Sequence, residues 1–430
     1  MCYNKYIEHL AQIFPRNVVN QHRRFREMME MTIPPFLYGE EYLQNPIMRR
    51  FLREHNINLV DSRAEYIKAI EDYANQNEEN EQEVHEWLIK VVKEGTKEFC
   101  YKKIYDIAEW QRNPILLEEK ISEQFPNCPK KDILSYHNTG MRTMIDYKFT
   151  LNKDGDVSKI DFTFSSLFMY GNAGEVGNKT VFPVFIEVYL DDGFIVSREK
   201  AKSTLYKYDE ENPILIGQYK IDTMEYAISI IKEIVEKLEF HTEGNPKAVK
   251  SNVFQMLYRI YDDYAFTPKD IVEKIDSVKG IVNRFVDDFF SELQLNARNK
   301  EKAINDANIL VEKFISIDGN NEKVFKEDRP AYLIKITADD EMDLTKIDAL
   351  STRQNPLQCT EAFFDSKRSV TKSKQCKQLK LVFKRNDTRY FPAGNQLEVF
   401  LGVSKNDGCV KTLQYAEEVD IQNVLQTVFR

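Results

Sequence analysis

Residues 141–166 alternate between apolar and polar side chains around Asp154-Gly155, and this pattern constrains the fold more than any other stretch. Asp-Gly is favoured in two-residue hairpin turns, whose central residues take positive φ. Centring the turn there sets Lys148 opposite Asp161 on one face and pairs apolar residues on the other. A shift of one residue would exchange the two faces, so the pattern predicts this register of an antiparallel hairpin. The predicted apolar pairs are Ile145 with Phe164, Tyr147 with Phe162 and Phe149 with Ile160.

A second hairpin is predicted in residues 181–198, around Asp192-Gly193. A two-residue turn at this place pairs Glu187 with Arg198. The run 184–190 is apolar on both faces apart from Glu187, which is typical of a central strand that is covered on each side. A buried carboxylate is costly unless it is paired, so Glu187 is either the partner of Arg198 or a catalytic acid with a raised pKa.

Helical periodicity dominates most of the remaining chain, and only 15 glycines and 14 prolines interrupt its 430 residues. Long regular elements are therefore expected. The pattern predicts an α+β fold with a twisted antiparallel sheet. Its four predicted parts are a helical region (1–135), an antiparallel β-hairpin unit (136–220), a helical segment (221–317) and a mixed α+β unit (318–430).

Composition argues against several classes of protein. The six cysteines are scattered without CxxC spacing, which disfavours a zinc ribbon or a disulfide framework and favours free thiols in a reducing compartment. No run of about 18 apolar residues occurs, and the N-terminus lacks the features of a signal peptide. The sequence also lacks the glycine-rich phosphate loops of dinucleotide-binding and Walker-type proteins. We therefore expect a cytoplasmic protein that does not span a membrane.

The segment from Lys367 to Arg385 contains eight lysines and arginines and no carboxylate, although the net charge of the chain is −9. Clustered cations attract nucleic acid and release its counterions. Residues 367–374 are predicted to form a mobile loop and 376–385 a strand with one cationic side, while nearby aromatic residues would suit stacking on single-stranded bases. The alternative is a solvated face whose lysines protect a sheet edge. The predicted nucleic-acid contacts here are Lys372, Lys374, Lys377, Lys380, Lys384, Arg385 and Arg389.

A capped helix is predicted at 267–275, because Thr267 can accept from an amide of the first turn and Pro268 suits the first helical position. A second helix would begin near Ser277. The string resembles the bacterial helix-turn-helix motif, in which a "T-P-x-D-I" helix precedes a recognition helix bearing "V-S-R". It departs from that motif at 276–278, where a turn with glycine is usual. The alternative is a helical hairpin that only packs. The resemblance implies that Lys279, Asn283 and Arg284 face the DNA.

Asp146-Tyr147-Lys148 fits the D-x-K half of a restriction-type nuclease motif. Residues i and i+2 of a strand share a face, so Asp146 and Lys148 should project together. In such centres the carboxylate holds Mg²⁺ and the lysine orients the attacking water. Asp132 could supply a further ligand. The alternative is a plain cross-strand ion pair between Lys148 and Asp161.

These patterns favour a cytosolic nucleic-acid-binding protein that acts through its basic C-terminal segment and works with partner proteins. A component of a bacterial defence system or mobile element would fit that description. A Mg²⁺-dependent nuclease and a non-catalytic scaffold are the alternatives, so the question of catalysis stays open. No cofactor is expected unless the nuclease alternative holds. The sequence does not distinguish DNA from RNA.

Overall fold

A computed structural model describes residues 30–58, 61–318, 322–327, 329–339 and 346–430. The chain divides into two compact units, 1–92 and 93–430, whereas the sequence suggested four parts. The part of the predicted helical region before residue 30 lies outside the described residues. Within the described residues, no helix has both the length and the apolar character that crossing a bilayer requires. The mixture of helices with a large antiparallel sheet confirms the predicted α+β class.

The described part of the first unit is helical, as the sequence predicted for this region. Its second helix begins with a capping box, in which the Ser62 hydroxyl and the Glu65 carboxylate each accept from the other residue's backbone amide. The core is built around Phe51, whose ring centroid lies 4.4 Å from that of Trp87 and 5.9 Å from that of Tyr73. The helices are α1 (Asn45–Glu54), α2 (Arg63–Ala74) and α3 (Glu78–Lys93).

The second unit contains one antiparallel sheet of twelve strands among the described residues. The strands are β1 (Glu98–Tyr105), β2 (Thr143–Leu151), β3 (Val157–Tyr170), β4 (Asn178–Tyr189), β5 (Phe194–Arg198), β6 (Leu205–Lys207), β7 (His241–Thr242), β8 (Ala331–Asp339), β9 (Lys346–Leu350), β10 (Gln378–Lys384), β11 (Gln396–Ser404) and β12 (Asp407–Thr412). Their spatial order is β2-β3-β4-β5-β1-β12-β11-β10-β8-β9, with β6 paired to β3 and β7 paired to the end of β1.

Helices of this unit supply the other side of each hydrophobic core. One core joins the sheet to the helices at 246–265, 361–373 and 418–429, and the other joins it to the helices at 114–124 and 223–237. The helices are α4 (Glu109–Arg112), α5 (Pro114–Gln124), α6 (Thr223–Lys237), α7 (Pro246–Ala265), α8 (Lys269–Glu292), α9 (Lys300–Asp318), α10 (Glu322–Glu327), α11 (Glu361–Ser373) and α12 (Glu418–Phe429).

Strand β1 corrects the prediction that residues 1–135 are helical. It lies in the middle of the sheet between β5 and β12. Phe99 and Tyr101 belong to the core that contains α7 and α12, whereas Cys100 and Ile104 belong to the core that contains α5 and α6. Because both faces of β1 are buried, its sequence lacks the alternation that would have identified a strand.

The first predicted hairpin is confirmed, with Lys148 opposite Asp161 and Tyr147 opposite Phe162. An irregularity between Met144 and Asp146 shifts the register near the start of β2, so Met144 and not Ile145 faces Phe164.

The second hairpin forms between β4 and β5, but its register differs from the prediction by two residues. Glu187 faces Val196, and Tyr189 faces Phe194. The loop has four residues instead of two, and it is closed by a hydrogen bond from the Gly193 amide to the Tyr189 carbonyl, with φ at Gly193 of 72°. An Asp-Gly pair therefore marks the turn correctly, but not its length.

The two-helix interpretation of residues 267–290 is wrong, because α8 is a single helix that runs through the expected turn. Residues 276–278 contain no glycine or proline to end a helix, and the Ser277 hydroxyl donates to the Lys274 carbonyl within it. Thr267 does not cap this helix; its hydroxyl donates to Glu312 of α9 at 2.5 Å.

Candidate ligand-binding cleft

Several cations of the basic segment form ion pairs with acidic residues that lie far from them in the sequence. Residues 367–373, which we predicted to be a mobile loop, belong to α11, because the apolar side chains of this helix pack into the core. Folding has therefore neutralised part of the cationic charge that the sequence displays. The pairs are Lys367 with Glu312 at 2.7 Å, Lys380 with Glu398 at 2.6 Å, Arg385 with Asp420 at 2.7 Å, and Lys377 with Asp339.

Arg385 is the most deeply placed cation of the segment. It is buried and also donates to the Tyr415 carbonyl at 2.6 Å, while its guanidinium lies 3.9 Å from the centroid of the Phe391 ring. It therefore holds the start of α12 against the loop after β10. Lys374, by contrast, ends α11 in the left-handed conformation with an exposed side chain. Lys384 donates to the Glu327 carbonyl, and the guanidinium of Arg389 lies over Tyr390.

The three residues predicted to read DNA from α8 do not share a face. Lys279 and Arg284 are exposed, but they are five positions apart, which places them about 140° apart around the helix axis. The side-chain oxygen of Asn283 is buried. With no second helix after a turn, the groove-reading geometry implied by the motif is absent from this segment.

The D-x-K residues lie together on β2, as predicted. The Lys148 ammonium is 3.6 Å from the Asp146 carboxylate and is exposed. Asp132, in contrast, accepts hydrogen bonds from the amides of Leu134 and Ser135 and so stabilises a turn. No cluster of three or more metal-ligating side chains occurs in the described part of the chain.

Glu187 is part of a buried network that links β4 and β5 to α12. Arg198 lies 2.6 Å from Glu187 across the strand pair, and its guanidinium also donates to Glu418. Burial alone would raise the pKa of Glu187, but Arg198 and Lys159 hold it below its ordinary value. Tyr189 donates to the same carboxylate at 2.5 Å. The predicted pairing with Arg198 is therefore present, although the two residues are diagonal neighbours and not directly opposite.

The second unit contains a cleft of about 460 Å³ over the outer half of β1. Because alternate residues of a strand share a face, Tyr101, Lys103 and Tyr105 project from β1 on the side of the sheet that α7 covers. Residues of α7 form a second wall, and Phe429, at the end of α12, lies at the base. The other residues that line the cleft include Asp192, Phe194, Thr242, Glu243, Asn252, Val253, Met256, Arg259 and Arg430.

The base of the cleft is aromatic. The rings of Phe194 and Phe429 are stacked, with centroids 4.5 Å apart, and the Tyr101 ring meets Phe194 edge-on at 6.2 Å. Tyr101 can lie here because Gly408 of β12 pairs with it and has no side chain. A β-carbon at Gly408 would overlap the Tyr101 ring. Because Phe194 and Tyr101 are buried, the partly exposed ring of Phe429 is the one of these three on which an aromatic ligand could stack.

The rim of the cleft carries charges of both signs, with cations in excess. Lys103, Arg259 and Arg430 are exposed, and the carboxylates are Asp192 and Glu243. Arg259 donates to the Val428 carbonyl at 3.4 Å, which directs its guanidinium toward the end of α12.

Burial and the neighbouring Asp191 raise the pKa of Asp192. Glu243 is engaged by the Asn245 amide, from which it accepts at 2.8 Å. A ligand with an anionic group and a flat apolar body would match a cleft that has aromatic side chains at its floor and cations at its rim.

Sequence reasoning missed the cleft, because its residues come from four separate stretches of the chain. Only the cationic and aromatic alternation of Tyr101, Lys103 and Tyr105 offered a signal, and the helical prediction for that region obscured it. Comparison with protein-family models, with curated proteins and with solved structures finds no match.

Proposed function

We propose that the protein binds single-stranded nucleic acid and that the cleft over β1 holds one nucleotide of it. The observation that carries this proposal is that the cleft has stacked aromatic side chains at its floor and exposed cations at its rim. Proteins that hold single strands combine stacking platforms with positive charge, and each stacked base contributes about 1–3 kcal/mol. The volume of about 460 Å³ is in the usual range for a pocket that holds a small molecule or a nucleotide.

In this arrangement a nucleobase would lie against the Phe429 ring, which stacks on the buried Phe194 ring, and the adjoining phosphate would contact Lys103 and Arg259. The basic segment would at most contribute secondary contacts, because four of its cations already have carboxylate partners. Lys374 is the residue of that segment whose exposed position best suits such a contact.

A binding assay with labelled single-stranded DNA and RNA tests the proposal. We expect the double variant Lys103→Ala/Arg259→Ala to lower affinity about tenfold at low salt. The slope of log K against log salt should fall by about 0.7, since both cations contact one phosphate and each phosphate neutralised on a single strand contributes about 0.7. Phe429→Ala should also weaken binding by about tenfold, through the loss of stacking.

The matched control is Lys153→Ala/Arg298→Ala, which removes the same charge at exposed positions that do not line the cleft. Equal weakening by both double variants would show that only the overall charge matters. If Lys374→Ala lowers the affinity and the cleft variants do not, the basic segment and not the cleft contacts the nucleic acid. Absence of binding at low salt would overturn the proposal. Duplex DNA and a free mononucleotide, tested beside the single strands, identify the form of nucleotide that the cleft takes.

The other predictions from the sequence remain hypotheses. These are a role beside partner proteins in a bacterial defence system or mobile element, a cytoplasmic location, and the nuclease and scaffold alternatives.

A further inference from the structure

Helix α8 exposes a line of large apolar side chains that nothing in the described part of the chain covers. Ile281 is 66% exposed, Phe285 is 64% exposed and Phe289 is 46% exposed. These residues are four apart, so they share one face of the helix. The rings of Phe285 and Phe289 are stacked, with centroids 6.2 Å apart, so they form one continuous apolar surface. We call these three residues the α8 stripe.

An adjoining side of α8 is the one that packs against the protein. Its buried residues are Ile271, Val282 and Val286. Val282 and Val286 each follow a stripe residue by one position, about 100° further around the axis. The stripe is therefore not needed to hold α8 in place, and its exposure needs another explanation, since contiguous apolar surface usually marks an interaction site.

Charges at the two ends of the stripe have opposite signs. Lys274 comes seven residues before Ile281, and Glu292 comes seven residues after Phe285. Seven residues make nearly two helical turns, so Lys274, Ile281, Phe285 and Glu292 lie close to one line along the helix. Both charged residues are exposed. Read along the helix, the line is basic, apolar, apolar and acidic.

We propose that α8 pairs with α8 of a second copy of this chain, in antiparallel orientation around a two-fold axis. If the axis crosses α8 at the height of residue 283, Ile281 of each copy would meet Phe285 of the other. Lys274 of each copy would meet Glu292 of the other, which makes two ion pairs in one interface. A parallel pairing would instead bring Lys274 against Lys274 and Glu292 against Glu292. The charge pattern therefore selects the antiparallel arrangement, and a two-fold interface of this kind closes after two copies.

A single helix pair buries less surface than the roughly 1,200–2,000 Å² of a standard stable interface. The dimer should accordingly be weak and reversible, and its population should depend on protein concentration. Sedimentation velocity over a range of concentrations measures this directly. We expect the wild-type chain to shift from monomer to dimer, and Ile281→Asp to abolish the shift. The matched control is Ile115→Asp, which places the same charge at another exposed isoleucine, 69% exposed on α5.

Charge exchange tests the orientation. Lys274→Glu alone and Glu292→Lys alone should each weaken dimerisation about fivefold to twentyfold, since two exposed ion pairs become repulsive in each case. The double variant Lys274→Glu/Glu292→Lys should restore dimerisation to near the wild-type level. A mixture of the two single variants should form a heterodimer that is stronger than either homodimer.

A chain that stays monomeric at all concentrations would overturn the proposal, and the stripe would then be left to a different partner. Dimers that survive Ile281→Asp would show that another surface is responsible. Dimers that are lost with Ile281→Asp, but that the double exchange does not restore after the single variants weaken them, would exclude the antiparallel pairing.

Discussion

Arg198 donates two hydrogen bonds to Glu418, from Nη1 to Oε2 at 2.5 Å and from Nη2 to Oε1 at 3.1 Å. The same guanidinium pairs with Glu187 and is 1% exposed. We expect Arg198→Met to lower the free energy of unfolding by about 3–5 kcal/mol, because it removes the closest cation from the buried Glu187 carboxylate and leaves it with Lys159 at 3.4 Å. Urea unfolding measures the loss. Arg112→Met is the control, since its pair with Asp191 is partly exposed and should contribute less than about 1 kcal/mol. Equal losses in the two variants would contradict this account.

Glu94 should make stability depend on pH. Burial raises the pKa of this carboxyl to about 7, and Glu417 and Glu418 add to the rise. In the unfolded chain a glutamate titrates near pH 4.3, so between these values the folded state holds the extra proton. Stability should therefore fall as pH rises through this window, by about 4 kcal/mol at most. Glu94→Gln cannot ionise and should lose less stability between pH 5 and pH 8 than the wild type does. Equal losses in both proteins would show that another group titrates.

Ser277→Pro distinguishes one helix from two. In a turn between two helices proline would be tolerated, but inside the continuous α8 it removes a hydrogen bond and clashes with the preceding turn, at a cost of about 3 kcal/mol. We expect hydrogen exchange of the amides in 269–277 to become much faster in this variant. Ser277→Ala should leave their protection unchanged. If the amides of 269–277 stay equally protected in Ser277→Pro, a turn between two helices lies at this position after all.

The D-x-K pair should not act as a nuclease centre, because the Asp132 carboxylate is already engaged in a turn. We expect supercoiled DNA incubated with Mg²⁺ to be nicked equally, or not at all, by the wild type and by Asp146→Ala. Asp154→Ala, at an exposed hairpin turn, is the control. Nicking that Asp146→Ala abolishes and Asp154→Ala retains would establish the nuclease alternative instead.

Local patterns predicted those parts of the fold that local interactions determine. The register around Lys148 and Asp161 follows from strict alternation beside a marked turn. Strand β1 escaped prediction because its two faces are buried in different cores. The length of the loop after Tyr189 was predicted wrongly because an Asp-Gly pair suits loops of more than one length.

The electrostatic environment could not be predicted, because it depends on contacts between distant parts of the chain. Lys367 and Glu312 are 55 residues apart, and Arg385 and Asp420 are 35 apart. A run of cations in the sequence thus says little about the charge it presents after folding. The cleft escaped for the same reason, since neither Lys103 nor Arg259 has a sequence neighbour that indicates a shared site.

Gly408 controls a site that it does not line. The aromatic ring of Tyr101 occupies the space that any side chain at this position would need. Replacing this glycine would force the Tyr101 ring to move, so residue 408 of β12 affects the shape of the cleft through its neighbour. Any attempt to reshape the cleft should therefore begin with the pair formed by residues 101 and 408.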